Sequence, residues 1–371
     1  MTGMLAQALP RDGDVRVQLL VMAPSSGPCP PTRYHQAACL PMIPDFSSSG
    51  RGRLRAMRDA RKLARVLISK AHQRGERAVI FVRNHPALML VASSLRHCAD
   101  GYVFQSSHPL ELLDKSRFKR VAYRAVLRAG GWNVDGILAV SPLGLERVRR
   151  LCARKSSGLV VPLLSDLSPD AMADESIWGG GADSVRFIYA GTHAARRRLD
   201  VVLEGAVSAL DSGVDAVFAF LGGKPHEIDA LRESPGVRRW ESAERILFVE
   251  SMPRPRIPGL LRGADVGLSL VPESLVNREM SPTKLAEYMG AGLAVLASRG
   301  VELQEVFVRQ SSAGLLISFD SPSIAKGISR MADDRTNLER WKMNAQSFSS
   351  KELKYSNYVQ SLRSILDGSA S

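Results

Sequence analysis

One short stretch decides the fold of this chain: residues 279–292, EMSPTKLAEYMGAG, followed by LAVLA at 293–297. Ser281 is a favourable N-cap and Pro282 suits the first helical position, so we predict that a helix begins there. Gly290 and Gly292 end this helix, and residues 294–297 have the composition of a buried strand. The pattern indicates a helix that leads directly into a strand, as in α/β proteins.

Two carboxylates lie on either side of this helix start. Glu279 is placed in the preceding loop and Glu287 in the second helical turn, while Lys284 is a cation in the first turn, where it opposes the helix dipole. An anion bound at the helix start would explain both the lysine and the free backbone amides. The alternative is an ordinary surface pair between Lys284 and Glu287, three residues apart, which contributes only about 0.3 kcal/mol.

The segment resembles the carboxylate signature (Glu, seven residues, Glu) of retaining glycosyltransferases of the GT-B fold, specifically glycosyltransferase family 4 of the group 1 type. The resemblance implies that Glu279 contacts the donor sugar and Glu287 the ribose of the nucleotide. Residues 291–295 match the family's usual run into the next strand, although Ala294 stands where proline is commoner. The implied fold is α/β, with two Rossmann-like domains that face each other across a cleft.

Size and composition are compatible with that fold. At 371 residues the chain is expected to form about two domains. No apolar run of about 18 residues predicts a transmembrane helix, and residues 1–11 lack the apolar core of a signal peptide. The cysteines are scattered without metal-type spacing and fit reduced thiols. A cytoplasmic location is therefore expected. The cysteines are Cys29, Cys39, Cys98 and Cys152.

The order of strand-like and helix-like segments predicts the domain organisation. Residues 1–165 are expected to form an acceptor-binding Rossmann-like domain and residues 185–345 a nucleotide-sugar-binding one. Residues 166–184 are polar and glycine-rich, as linkers are. Residues 346–371 are expected to form a C-terminal helix that packs back on the first domain, as the resemblance implies.

Charge is divided unevenly between the two halves. Residues 1–165 hold 26 Lys and Arg against 10 Asp and Glu, and the remainder holds 24 against 27. The first half is thus expected to meet a polyanion: a membrane surface, nucleic acid or an acidic acceptor. Residues 51–74 and 115–128 resemble basic amphipathic helices, which lie on anionic lipid. Each stretch alone is better explained as a solvated helix face. Their occurrence in one domain favours peripheral attachment to the inner face of the cell membrane and a lipid-linked acceptor.

A second candidate element is the loop GTHAARRR at residues 191–198, between an expected strand and an expected helix, where backbone amides favour an anion. It is not a GxGxxG fingerprint, so a nicotinamide cofactor is not indicated. In the resembling family this loop carries a glycine, an adjacent basic residue and a second basic residue five positions later. Gly191 and Arg197 match, Thr192 departs from the pattern, and Lys284 would supply the missing charge. The alternative is a solvated basic loop.

Two further residues are weaker candidates. His108 follows the β-rich run Tyr102-Val103-Phe104 and is expected to face the cleft from the first domain. The corresponding region of the resembling family often has a histidine near the transferred sugar or the acceptor, and a purely structural histidine is the alternative. Gly222 fits the family's glycine turn near the nucleotide base, which a plain turn at a strand end explains equally.

Together these residues predict a mechanism. Arg197, Lys284 and the amides near Met280 and Ser281 would bind the pyrophosphate of a nucleotide sugar and stabilise its departure. No convincing Asp-x-Asp pair is present, so neither a metal nor another cofactor is expected. The two carboxylates fit ligand binding better than the acid/base pair of a hydrolase.

The predicted function is retaining transfer of a sugar from a nucleotide-sugar donor to a glycan or lipid-linked acceptor, in the assembly of a surface polysaccharide or glycolipid. No nucleic-acid partner is expected. One alternative is a nucleic-acid or polyanion-binding protein that uses the basic first half. Another is the same fold with a sugar-phosphate donor or an epimerase activity.

Overall fold

Two compact units make up the fold in the computed structural model. Unit 1 comprises residues 1–162 with 355–371, and unit 2 comprises residues 163–354. The sheets are mainly parallel and alternate with helices, which confirms the predicted α/β class with two Rossmann-like domains. Side chains before residue 51 are not described, apart from Arg16. The residues described are 16, 18–22, 33–34, 37–42, 50–113, 116–152, 156–164, 167, 172–178 and 183–368.

Unit 1 contains two sheets among its described residues. A four-stranded parallel sheet has the order β4-β5-β6-β7, with Val79 paired to Gly101 and Val103 to Gly136. In a smaller sheet β3 pairs in parallel with β1 and antiparallel with β2. The strands are β1 (Gln18–Met22), β2 (Arg33–Tyr34), β3 (Ala37–Met42), β4 (Val79–Arg83), β5 (Gly101–Ser106), β6 (Gly136–Ala139) and β7 (Ser157–Val160).

The helices of unit 1 include both of the predicted basic helices. The centre of the unit's core is apolar, with Met89, Tyr102 and Ile137 fully buried. None of the described helices of the chain combines the length and the apolar composition needed to cross a bilayer. Among the described residues of this unit, the helices before residue 162 are α1 (Gly50–Gln73), α2 (Pro86–Leu95), α3 (Leu110–Leu113), α4 (Arg117–Gly131) and α5 (Pro142–Leu151).

Unit 2 is built on six parallel strands in the order β10-β9-β8-β11-β12-β13. Counted within the unit this is 3-2-1-4-5-6, the order of doubly wound nucleotide-binding sheets. The direction of winding reverses between β8 and β11, and ligands of such sheets bind at the carboxyl ends of the strands beside this reversal. The strands are β8 (Val185–Ala190), β9 (Ala216–Gly223), β10 (Ile246–Glu250), β11 (Val266–Ser269), β12 (Ala294–Ser298) and β13 (Gly314–Ile317).

Helices cover this sheet with apolar faces. In the first of them, α6, the spacing of Leu199, Val202 and Leu203 places all three in the core. The backbone at Gly205 lies so close to α13 that a Cβ there would be 2.6 Å from Ile324 Cγ2. The helices are α6 (Leu199–Asp211), α7 (Pro225–Arg232), α8 (Pro235–Ser242), α9 (Ile257–Arg262), α10 (Leu275–Arg278), α11 (Thr283–Gly290), α12 (Glu302–Ser311), α13 (Ser321–Asp333) and α14 (Arg335–Glu352).

The chain then returns to unit 1. A 3₁₀ turn at Tyr355–Tyr358 leads into α15 (Val359–Asp367), which packs against β5 and β7. The sequence placed the start of this segment at residue 346, whereas α14 continues to Glu352 and unit 1 resumes at Tyr355. Unit 2 begins at Leu163, close to the expected linker, of which residues 166, 168–171 and 179–182 lie outside the described part of the chain.

Candidate functional site

Three loops of unit 2 meet at the carboxyl edge of its sheet. The loop of residues 191–198 follows β8, the end of β9 at Gly222 and Gly223 leads into α7, and the segment that leads into α11 follows β11. Because β9, β8 and β11 are parallel neighbours, these loops lie side by side at the reversal point. The sheet therefore brings to one edge the segments of unit 2 that carry the candidate residues, although these segments are far apart along the chain.

Gly222 lies near the end of β9, where the pairing with β10 shifts register, and its backbone touches the backbone of the loop after β8. Gly222 has φ +106°, and a Cβ there would lie 2.7 Å from the carbonyl oxygen of Gly191. Gly191 N donates to Leu221 O at 2.8 Å. Both the positive φ and the close approach require glycine at 222.

Tyr288 joins α11 to the end of β8. The pairing between β8 and β11 ends with Ile188 and Gly267. The amide of Ala190, two residues later, points to the same side of β8 as the amide of Ile188, but β11 offers it no partner. The Tyr288 hydroxyl accepts from Ala190 N at 2.9 Å, and its ring is fully buried. A Cβ at Gly267 would come within 2.2 Å of that ring. The helix that carries Glu287 is thus held beside the loop after β8, a contact that the sequence analysis did not foresee.

The signature carboxylates lie where the sequence placed them. Glu279 is half-buried and follows α10, and Glu287 is in the second turn of α11. Lys284 Nζ contacts Glu287 Oε2 at 3.0 Å, with 41% and 16% of the two side chains exposed. This is the ion pair of the simpler alternative. It also keeps one cation and one carboxylate together at the edge where the three loops meet.

The start of α11 differs from the prediction. The helix begins at Thr283 with Pro282 at the N-cap and no side-chain cap, so the prediction that Ser281 caps it is wrong. Ser281 is buried instead, and its Oγ accepts from Leu163 N at 2.8 Å. Met280 N donates to Asn277 O at 3.1 Å. The preceding short helix thus takes the Met280 amide that the sequence left for an anion, and Leu163 takes the Ser281 hydroxyl that was expected to cap the helix.

The three arginines of the loop after β8 have different environments. Arg198 has φ 52°, and its guanidinium makes a bidentate ion pair with the carboxylate of Asp200. This contact lowers the pKa of Asp200. Arg196 is exposed. Arg197 is half-buried in a 3₁₀ turn, and its Nε is buried without a hydrogen-bond partner in the described part of the chain. Among the three arginines, Arg197 is therefore the one with a buried donor that has no partner in the described part of the chain. Thr192 is exposed, and its carbonyl accepts from Tyr189 at 3.1 Å.

His193 is a feature of this loop that the sequence analysis missed. Its ring is 4% exposed and lies between the rings of Tyr189 and Phe248, at centroid distances of 6.0 and 6.3 Å. Neither ring nitrogen has a partner among the described residues, and a Cβ at Gly223 would lie 2.2 Å from Nδ1. Burial lowers the pKa of the imidazole. A lone histidine between threonine and alanine gave no pattern from which this could be predicted.

His108 belongs to unit 1, where it follows β5 at the carboxyl edge of the four-stranded sheet. Its side chain is exposed. Close along the chain, buried Glu111 contacts Arg147 at 2.5 Å, and Ser107 N donates to the side chain of Asn84 at 2.7 Å. Polar groups thus collect at the edge where a Rossmann-like domain binds ligands.

Metal and thiol chemistry can be assessed only for the described residues. Among them, no group of three or more His, Cys, Asp and Glu side chains is placed to hold a metal ion. Metal independence stays a prediction. Cys98 and Cys152 are free thiols, and burial raises the pKa of Cys152 to about 12.

Residues 184–334 match the family described as "Glycosyl transferases group 1". The match spans all six strands of unit 2 and the three loops at their carboxyl edge. This protein is a glycosyltransferase. No curated protein matches the chain.

Solved structures agree on the GT-B fold. Sucrose-phosphate synthase from Thermosynechococcus elongatus gives a TM-score of 0.68 at 17% identity, covering 97% of this chain and 90% of the other. Anabaena Alr3699/HepE in complex with UDP gives 0.64 at 16%, covering 90% and 86%. WaaG, a glycosyltransferase involved in lipopolysaccharide biosynthesis, gives 0.62 at 16%, covering 99% and 95%. At these identities the likeness shows the fold alone.

Proposed function

We propose that the protein is a retaining family 4 glycosyltransferase that binds a nucleotide-sugar donor on unit 2. The observation that carries the proposal is the order of the strands: Arg197, Gly222 and the Lys284–Glu287 pair belong to segments that follow or end three neighbouring strands at the reversal point of the sheet. This is where doubly wound sheets bind nucleotides. The Anabaena neighbours in complex with UDP and with UDP-glucose support a donor of this class.

Each candidate residue then has a role. Arg197, with its unused Nε donor, and Lys284 bind the pyrophosphate, and they stabilise the negative charge that develops as the sugar leaves. Glu287 accepts hydrogen bonds from the ribose, while Glu279 orients the donor sugar. Lys284 exchanges its contact with Glu287 for the phosphates when the donor binds. Two cations thereby do the work for which other glycosyltransferases use a metal ion.

The acceptor is proposed to be a glycan or a lipid-linked precursor of a surface glycan, bound by unit 1 at the cytoplasmic face of the membrane. Two observations support it. Residues 1–165 carry the basic excess expected of a protein that works on an anionic surface. His108 and its polar neighbours lie at the ligand-binding edge of the unit 1 sheet.

Thermal melting against UDP-, GDP-, ADP- and dTDP-sugars, with and without EDTA, tests the donor site. A ligand at about 100 times its Kd adds about 2.7 kcal/mol to stability. We expect a shift with one nucleotide that EDTA does not change and that Glu287→Ala abolishes. Glu339→Ala is the matched control, because Glu339 forms the same kind of pair with Lys342 on α14. A shift that survives Glu287→Ala, or no shift with any nucleotide, would overturn the donor assignment.

Retention is tested separately by the product. Once the donor is known, the anomeric configuration of the transferred sugar is read from NMR coupling constants and compared with that of the donor. The same configuration supports the retaining mechanism. An inverted product would leave the donor site in place and remove the family 4 mechanism.

A further inference from the structure

Helix α4 exposes several large apolar side chains to solvent. Its buried residues are Leu127, Gly130 and Gly131. The glycines allow a close approach to α2, since a Cβ at Gly130 would lie 2.6 Å from the Cβ of Met89. The helix is thus held closely to α2 along one face, and the remaining residues of the helix are mostly exposed.

The exposed apolar residues of α4 form one stripe. Phe118 is 90% exposed and Val121 65%, and Trp132, directly after the helix, is 68% exposed. With the exposed alanines 125 and 129 they recur at steps of three and four, which puts them on one helical face. Leu127 lies on the opposite face, in the core. Single exposed apolar side chains are ordinary, but a continuous stripe marks an interaction surface.

Basic residues border this stripe. Residues 116–132 contain no acidic residue, and the helical spacing places Arg117, Arg124 and Arg128 along one side of the stripe, with Lys119 beyond the other. Helix α1, which also packs on α2, adds a row of exposed basic residues. That row is Arg51, Arg55, Arg58, Lys62 and Arg65.

We propose that α4 docks unit 1 on an anionic lipid surface, with Phe118, Val121 and Trp132 inserted below the headgroups and the basic border contacting them. This rests on the membrane-surface location in the proposed function and names the contact that produces it. An apolar stripe with a cationic border is the pattern of helices that lie in the plane of a bilayer interface. Nucleic acid would satisfy the basic border, but it offers no apolar phase for the stripe.

Vesicle sedimentation of the full chain tests the two parts of the surface separately. The vesicles contain phosphatidylcholine with about one-third phosphatidylglycerol, or phosphatidylcholine alone. We expect binding to the anionic vesicles, reduced on the order of 10-fold by Phe118→Ser with Val121→Ser, through lost apolar burial. Arg124→Gln with Arg128→Gln should weaken it by about five-fold per charge. Met343→Ser, which removes a 66% exposed apolar side chain from unit 2, should change nothing.

Fluorescence distinguishes insertion from charge attraction. The chain has four tryptophans, of which Trp132 belongs to the stripe. A blue shift on anionic vesicles that is lost in Trp132→Phe supports insertion. No blue shift, or vesicle binding unchanged by the Phe118 and Val121 replacements, would overturn the proposal. Binding to duplex DNA that competes with vesicle binding and is unchanged by the Phe118 and Val121 replacements would also overturn the proposal, in favour of nucleic acid.

The donor-induced melting shift, measured on the same variants, separates this proposal from the proposed function. Loss of vesicle binding in the Phe118 and Val121 variant, with its donor shift intact, supports the docking helix. Vesicle binding by the parent without any donor shift would leave the docking helix in place and remove the donor assignment. Neither side chain belongs to the candidate donor site, so the two readouts are independent.

Discussion

Replacing Tyr288 by phenylalanine tests whether α11 is fastened to the loop after β8. The change removes one oxygen from a fully buried side chain and leaves Ala190 N without its acceptor at 2.9 Å. No neighbouring strand can replace that acceptor, because pairing with β11 stops at Ile188. A buried donor left unpaired costs about 1–3 kcal/mol.

The expected fall in melting temperature follows from the size of unit 2. An unfolding entropy of about 2 cal/mol/K per residue over the roughly 190 residues of Leu163–Lys354 gives about 0.4 kcal/mol/K. Tyr288→Phe should therefore lower the melting temperature of unit 2 by about 3–7 °C. Because Gly191 directly follows Ala190, we also expect weaker donor binding.

Calorimetry with and without the stabilising nucleotide sugar measures both effects. Tyr102→Phe is the matched control: that hydroxyl is also buried, and it donates to Gly130 O at 3.1 Å in unit 1. It should destabilise unit 1 and leave the donor-induced shift of unit 2 unchanged. A Tyr288→Phe protein that melts within about 1 °C of the parent, with its full donor shift, would refute the reasoning.

Three further substitutions test other parts of the structure. Gly222→Ala should weaken donor binding and lower the free energy of unfolding in urea by about 2 kcal/mol. The control is Gly213→Ala, which should cost less, because Gly213 also has a positive φ of +90° but a Cβ there would meet nothing within 4 Å. Equal costs would show that the backbone contact of Gly222 does not matter. Burial lowers the pKa of His193, so the stability from its neutral ring is present above about pH 6.5 and lost as the pH falls, when the unfolded chain takes up a proton. His193→Phe should reduce the loss of unfolding free energy between about pH 7 and pH 5, measured by urea unfolding at both values. A loss equal to that of the parent protein would contradict this. Arg147→Met should cost about 3–5 kcal/mol by leaving buried Glu111 without its cation, and adding Glu111→Gln should recover part of it, as melting would show.

The strands and the main helix of unit 2 could be predicted because their patterns are local. Residues 216–221 are all buried and apolar, and the spacing of Leu199, Val202 and Leu203 is that of a helix with one apolar face. The position of Glu287 followed in the same way, since it depends only on where a nearby helix begins.

The remainder depends on contacts that are distant in sequence. Ser281 has the composition of an N-cap, but Leu163, 118 residues earlier, takes its hydroxyl. The burial of His193 depends on Gly223 and Phe248, which lie on other strands. The amphipathic pattern of α4 was visible, but the direction of its apolar stripe is set by the contact between Gly130 and Met89.

Unit 1 is assembled from two separate stretches of the chain, with all of unit 2 between them. The side chain of Ile365 lies so close to β6 that a Cβ at Gly136 would be 2.5 Å from its Cγ2, and Arg77 donates to the carbonyl of Asp367 at 3.1 Å. On a ribosome, the first unit to be synthesised is therefore the last to be completed. The four-stranded sheet of unit 1 lacks its contact with α15 until the roughly 190 residues of unit 2 have been synthesised. A chain interrupted before Tyr355 would carry a complete unit 2 and an incomplete unit 1.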